Sequence, residues 1–162
     1  MRTLLLMRHA KSSWGDGSLS DDERPLNKRG LRDAPRMAAK LHTRGIIPDI
    51  LLSSTAERAY QTACFVAQEY EFPIDSIVAL HELYLAEERT WYDIFVELPE
   101  TRPTAMLFGH NPGITEVANS LCNVEIENVP TAGIVTIELD VPTWSDVTPG
   151  SGKLLDFDYP KR

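Results

Sequence analysis

Arg8 and His9 stand side by side directly after the short apolar run Leu4-Leu5-Leu6-Met7. Arg58 follows a second apolar run, Asp49 to Ser53, and falls near the start of the segment after it. His110 follows a third, Thr104 to Phe108, and Glu82 follows a fourth, Ser76 to Leu80. The first three runs are too short for a helix and read as buried strands of a parallel sheet, and Ser76 to Leu80 reads as a further strand. In open α/β sheets, ligands bind beyond the carboxyl ends of the strands. The chain therefore sends two arginines, two histidines and a carboxylate to one sheet edge. Arginine pairs phosphate oxygens through its planar fork and stays charged. Helix starts at the same edge aim free N–H groups at an anion. Together these groups suit a pocket for a tetrahedral dianion.

The segments between the strands must position these groups. Ser12 to Asn27 is polar, with Gly15, Gly17 and Pro25, and reads as a loop long enough for function. A helix is expected after Arg29-Gly30, running to about Thr43, with Pro35 in its first turn or so and Gly45 and Pro48 closing it. Ser54 or Thr55 can cap the next helix, which carries Arg58 near its start. Glu87 to Leu98 reads as a third helix, closed by Pro99. Asn111-Pro112-Gly113 opens a fourth that runs to about Leu121, with Pro112 at its first position. The tail then changes period. Gly133 to Leu139 and Lys153 to Phe157 alternate apolar and polar, as half-exposed antiparallel strands near a sheet edge do. Strand and helix alternate up to Leu121, which predicts an α/β three-layer sandwich with a mostly parallel central sheet.

Composition narrows the function classes. At 162 residues, one domain spanning 1–162 is expected. A net charge of −8 argues against a broad electrostatic grip on nucleic acid or an anionic membrane, so any phosphate pocket needs locally concentrated arginine. Cys64 and Cys122 each fall in an expected helix and read as reduced thiols; no CxxC or Cys/His cluster suggests a metal site. The apolar run before Arg8 is too short for a signal peptide, and no stretch approaches transmembrane length. A cytoplasmic protein without cofactor or metal is the expectation.

The residues gathered so far also carry a resemblance. Leu6-Met7-Arg8-His9-Ala10, the stretch Ser53 to Ala63 around Arg58, and Phe108-Gly109-His110-Asn111-Pro112-Gly113 resemble the histidine phosphatase superfamily, with its phosphoglycerate mutase-like fold. Arg24-Pro25-Leu26-Asn27-Lys28-Arg29-Gly30 and Val129-Pro130-Thr131-Ala132-Gly133 are similar to its small SixA-like phosphohistidine phosphatase branch. The resemblance runs from residue 3 to about 139, in the expected order. It implies that His9 is the nucleophile and carries the phosphoryl group as a covalent intermediate. It implies that Arg8 and Arg58 neutralise phosphoryl oxygens in the transition state and that His110 donates to the same group. Glu82 matches the place where larger members keep a carboxyl proton donor, with Glu87, Glu88 and Asp16 as competitors. Ser12 and Lys11 are candidates for substrate contact. Trp14 either packs over the pocket or covers the core, and His42 and His81 read as structural or solvated. The family's commonest first motif has glycine where this chain has Ala10. A turn there needing φ > 0 would be distorted by alanine, and alanine is read as a mark of the SixA-like branch.

Three functions are compatible with these residues. One is a phosphatase acting on protein phosphohistidine, with a partner such as a histidine-phosphotransfer domain. The second is a phosphatase of small phosphate monoesters with the same mechanism. The third is a non-catalytic phosphate-binding module, against which the pair of histidines speaks, because arginines alone would bind phosphate. The segment between Leu80 and Pro103, where larger relatives insert a cap, is short and predicts an open pocket.

Overall fold

The computed structural model describes residues 1–162. Six strands form one sheet: β1 (Arg2–Arg8), β2 (Ile50–Ser54), β3 (Val78–Leu80), β4 (Thr104–Gly109), β5 (Ile134–Leu139) and β6 (Gly152–Asp158). Their order across the sheet is β3-β2-β4-β1-β5-β6. The first four of that order run parallel; β5 and β6 are antiparallel at one side, as the alternating tail predicts. Four helices cover the faces: α1 (Lys28–Thr43), α2 (Glu57–Glu69), α3 (Glu88–Phe95) and α4 (Gly113–Cys122).

The period of two in a strand divides the core. Leu5 and Met7 of β1 join Met106 and Phe108 of β4 beneath α1 and α2, against Met37, Ala38 and Val66. Leu4 and Leu6 face the opposite way and meet Leu107, Trp91, Phe95 and Val117 beneath α3 and α4. All four β1 side chains are fully buried. This is the physical reason for the continuous apolar run: both faces of the central strand are covered. The result is the three-layer α/β arrangement.

Several boundaries differ from expectation for local reasons. The first helix starts at Lys28, before Gly30, because the Asn27 side chain caps it by accepting from the Gly30 N–H at 2.9 Å. Pro35 therefore lies in the helix interior and not in its first turn. Gly30 is needed inside the helix, since a Cβ there would come 2.2 Å from the Lys11 carbonyl oxygen. That close approach fastens α1 to the segment just after His9. The third helix is shorter than expected, and Ser76 ends a 3-10 turn ahead of a three-residue β3. Pro112 precedes the first residue of α4 instead of occupying it. The second helix has Ala56 at its N-cap with no side-chain cap. Ser54 accepts from the Ala56 N–H at 3.2 Å, but its hydroxyl is committed elsewhere.

Candidate active site

The carboxyl ends of β1, β2 and β4 bring His9, Arg58 and His110 together. β1 ends at Arg8, and the His9 N–H donates to the Gly109 carbonyl at 3.2 Å, which locks the end of β1 to the end of β4. From the other side, the Ala132 N–H donates to the carbonyls of both Arg8 and His9 at 3.1 Å. Ala132 reaches this position with φ of 63°, so the left-handed residue packed against this turn is Ala132 and not Ala10. Ala10 has no such strain; its side chain is fully buried, and its N–H donates to Thr62 Oγ1 at 3.0 Å. Alanine at that place fits the turn. Two glycines of the His110 motif are set by packing. A Cβ on Gly109 would come 2.5 Å from the Trp91 ring, and one on Gly113 would come 2.0 Å from the Ala86 carbonyl oxygen.

His9 is 7% exposed, and its Nδ1 lies 2.7 Å from the Ala10 carbonyl oxygen. A carbonyl only accepts, so Nδ1 carries the proton and Nε2 keeps its lone pair. The His9 and His110 rings lie with centroids 5.2 Å apart, tilted by 50° to each other. Arg58, in the first turn of α2, points one Nη at His110 Nδ1 at 3.4 Å. An arginine only donates, so His110 Nδ1 accepts and its Nε2–H donates to Ser54 Oγ at 2.8 Å. Burial, with the neighbouring arginines adding to it, pushes His9 down to about 3. Burial first, then His9 and Arg58, push His110 down to about 3 as well. Both imidazoles are therefore neutral at pH 7. Burial, then Arg58, also lowers Arg8. The Nε–H groups of Arg8 and Arg58 are buried without a partner.

A ring of further side chains holds this centre. Asp21 accepts from Arg58 through its backbone carbonyl at 2.7 Å and through Oδ2 at 3.0 Å. Its Oδ1 accepts from Arg24 Nε and Nη2 at 3.2 and 3.0 Å, and Tyr84 donates its hydroxyl to Oδ2 at 2.5 Å. The Tyr84 hydrogen bond above all, with Arg24 and Arg58, holds the Asp21 carboxyl well below the usual carboxylate range. Arg24 in turn donates to Ser12 Oγ at 2.8 Å and packs its guanidinium over the Trp14 ring at 3.5 Å.

The pocket lined by these groups has a volume of about 200 Å³. Arg8, Lys11, Arg24 and Arg58 line it with His9, His110, Ser12 and Asn111, and Trp14, Leu85 and Thr131 complete the wall. In a chain of net charge −8 this is the local concentration of cations that phosphate binding needs.

Of the residues singled out from the sequence, Arg8, His9, Arg58, His110, Ser12 and Lys11 meet in this pocket, and Trp14 stands at its wall and not over the core. Glu82 does not. It is exposed on a 3-10 turn and lines a separate groove with Leu80, Asp93 and Glu97, because the turn after β3 directs it towards α3. Glu87 and Glu88 line another depression, and Asp16 is exposed and bonded to Ser18. His42 pairs with Glu69 at 2.9 Å, and His81 is exposed beside Thr55. Four residues with a role escaped the sequence reading. Ser54 looked like a helix cap, Asp21 is one of three consecutive acids, and Tyr84 carries no local signal. Arg24 lies in a quoted motif, which is the signal that could have found it.

Comparison with known proteins agrees with this geometry. Residues 4–122 match the family model described as the histidine phosphatase superfamily, branch 1. An uncharacterised protein of Mycobacterium tuberculosis is 31% identical over 166 residues, covering 96% of this chain and 100% of that protein. The candidate phosphohistidine phosphatase SixA of Agrobacterium tumefaciens is 27% identical, with a TM-score of 0.84 over 98% of both chains. A protein histidine phosphatase SixA solved with tungstate shares the fold, with a TM-score of 0.83 at 23% identity over 98% of this chain and 97% of that one. Arg8 and His9, Arg58 of α2 and His110 all lie inside the matched span, and the fold is that of the SixA structures. The chain belongs to the histidine phosphatase superfamily, branch 1, among its SixA-like members.

Proposed function

We propose that this protein is a phosphohistidine phosphatase that takes the phosphoryl group from a histidine presented on another protein, such as a histidine-phosphotransfer domain. One observation carries the reading: the pocket holds a nucleophile and four cations but no carboxylic acid to protonate a leaving group. The carboxyl of Asp21, which is bonded to Arg58, is held ionised. An alkoxide leaving group needs a proton donor, whereas an imidazole nitrogen departs far more readily. His9 Nε2 attacks phosphorus in line, the P–N bond of the substrate breaks, and a P–N bond to His9 forms. The departing imidazole takes its proton from water. Arg8 and Arg58, which line the pocket, take the equatorial oxygens through their guanidinium N–H groups. Water then attacks the phosphoryl group on His9, releasing inorganic phosphate and neutral imidazole. A cytoplasmic location belongs to this reading, supported by the two free thiols.

The test is a substrate panel read as kcat/KM: a phosphohistidine-bearing protein, free phosphohistidine, an aryl phosphate and sugar phosphates. Phosphohistidine on a protein is expected to lead. A sugar phosphate favoured by tenfold or more, about 1.4 kcal/mol in transition-state binding, overturns the reading in favour of a small-monoester phosphatase.

A further inference from the structure

Two large apolar side chains at the pocket wall are exposed where the fold gives no reason for it. Trp14 is 75% exposed and Leu85 54%, and no other exposed large apolar residue lines this pocket. An exposed indole on a polar loop would ordinarily be mobile. This one is not free to move, because its ring lies on the Arg24 guanidinium at 3.5 Å. That guanidinium is itself fixed by Asp21, Ser12 and the Ser13 carbonyl. One face of the indole is thus covered by a cation held in place from below, and its exposed surface lies beside the pocket mouth. Such an arrangement is a preorganised aromatic platform.

Leu85 adds an independent sign. Its φ is 50°, a left-handed conformation that costs a non-glycine residue and that Gly or Asn would adopt more easily. Burial does not compensate, since the side chain is exposed. The strain is held by its neighbours: Leu83 is fully buried, Ala86 is nearly so, and the Ala86 carbonyl lies against Gly113 at the start of α4. The turn presents an aliphatic side chain at the mouth, at a position where the backbone prefers none. Strain of this kind collects at ligand clamps.

We propose that Trp14 and Leu85 form the leaving-group subsite of the pocket, a two-sided apolar slot that takes a flat ring bonded to the phosphoryl group. The phosphoryl group sits among Arg8, His9, Arg58 and His110, and the ring it is leaving lies between the indole and the leucine. Ser12 sharpens the geometry. Its oxygen accepts from Arg24, so its proton remains to donate to a group at the mouth. The proposal rests on the phosphatase reading of the same pocket, and it names the part of the substrate that these two side chains recognise. The flat ring is the imidazole of phosphohistidine in the proposed reaction and a phenyl ring in an aryl phosphate.

The experiment compares two P–N donors, free phosphohistidine and phosphoramidate, which differ in carrying a ring. The readout is the ratio of their kcat/KM values. In Trp14→Ala the ratio is expected to fall by about tenfold, the equivalent of about 1.4 kcal/mol, and Trp14→Phe is expected to restore most of it. Leu85→Asn keeps a residue that tolerates the left-handed turn and removes the aliphatic wall; its ratio is expected to fall severalfold with no loss of thermal stability. Inhibition by vanadate, measured on each variant, reports the anion pocket separately from the slot. A ratio unchanged in either Trp14→Ala or Leu85→Asn overturns the two-sided slot. If the wild type turns over neither P–N donor, the proposed function fails. The slot is then judged by the same ratio for an aryl against an alkyl phosphate, where an unchanged ratio overturns it as before.

Discussion

Asp21→Asn tests whether the loop between β1 and α1 orients Arg58 for its proposed role. The Asp21 carboxylate accepts from Arg58 at 3.0 Å, from Arg24 at 3.0 and 3.2 Å, and from Tyr84. Asparagine keeps one acceptor oxygen and loses the charge. A hydrogen bond to a charged group contributes about 1.5–3 kcal/mol when buried. The Asp21 side chain is 41% exposed, so solvent screening reduces the combined loss to about 1–2 kcal/mol. Expressed in the transition state, that is a roughly five- to thirtyfold fall in kcat. The fall is not larger because the Asp21 backbone carbonyl still holds Arg58 at 2.7 Å. KM is expected to stay level or fall, since the substitution removes a negative charge near a bound anion. Steady-state kinetics with phosphoramidate and a vanadate inhibition constant separate the two effects. A kcat within twofold of wild type refutes the orienting role. A loss as large as that of Arg58→Ala, about a hundred- to a thousandfold for removal of a transition-state donor, shows that the carbonyl contact does not suffice.

Two further outcomes follow from the site. His9 and His110 are pushed down to about 3 in the folded protein, so between that pH and the ordinary imidazole value the unfolded chain binds more protons than the folded one. Stability from these groups is present above about pH 6.5 and is lost as pH falls towards 3, by on the order of a few kcal/mol; a thermal midpoint independent of pH from 7 to 4 contradicts this. Glu82→Gln is expected to change kcat/KM by less than twofold on phosphoramidate and on an aryl phosphate, because Glu82 lines the groove beside α3; a selective loss on the ester returns Glu82 to the role of proton donor.

The parts of this site that were legible in the sequence share one property: each is announced by a strand ending. Leu4 to Met7 had to be buried on both faces, and Arg8 and His9 follow from where that burial stops. The same holds for Phe108 and His110. Arg58 was legible because the first turn of a helix after a buried strand faces the same edge. Side chains that reach the site from loops were not legible, since nothing in Asp21-Asp22-Glu23 says which acid turns inward. That choice is made in three dimensions by Arg58, Arg24 and Tyr84 together. Glu82 failed for the converse reason: a place after a strand does not fix direction when a 3-10 turn intervenes. Ser54 was misread because a serine before a helix is ordinarily a cap, and only the approach of His110 reassigns its hydroxyl.

The covalent intermediate is the centre of the account. Wild-type protein is mixed with phosphoramidate, quenched in base during turnover, and examined by ³¹P NMR and peptide mapping. The predicted result is phosphate on His9 through Nε2, lost on acidification, and absent from a folded His9→Ala protein that has also lost turnover by several orders of magnitude. Phosphate found on another residue, or on Nδ1, or near-normal turnover by His9→Ala, would contradict it.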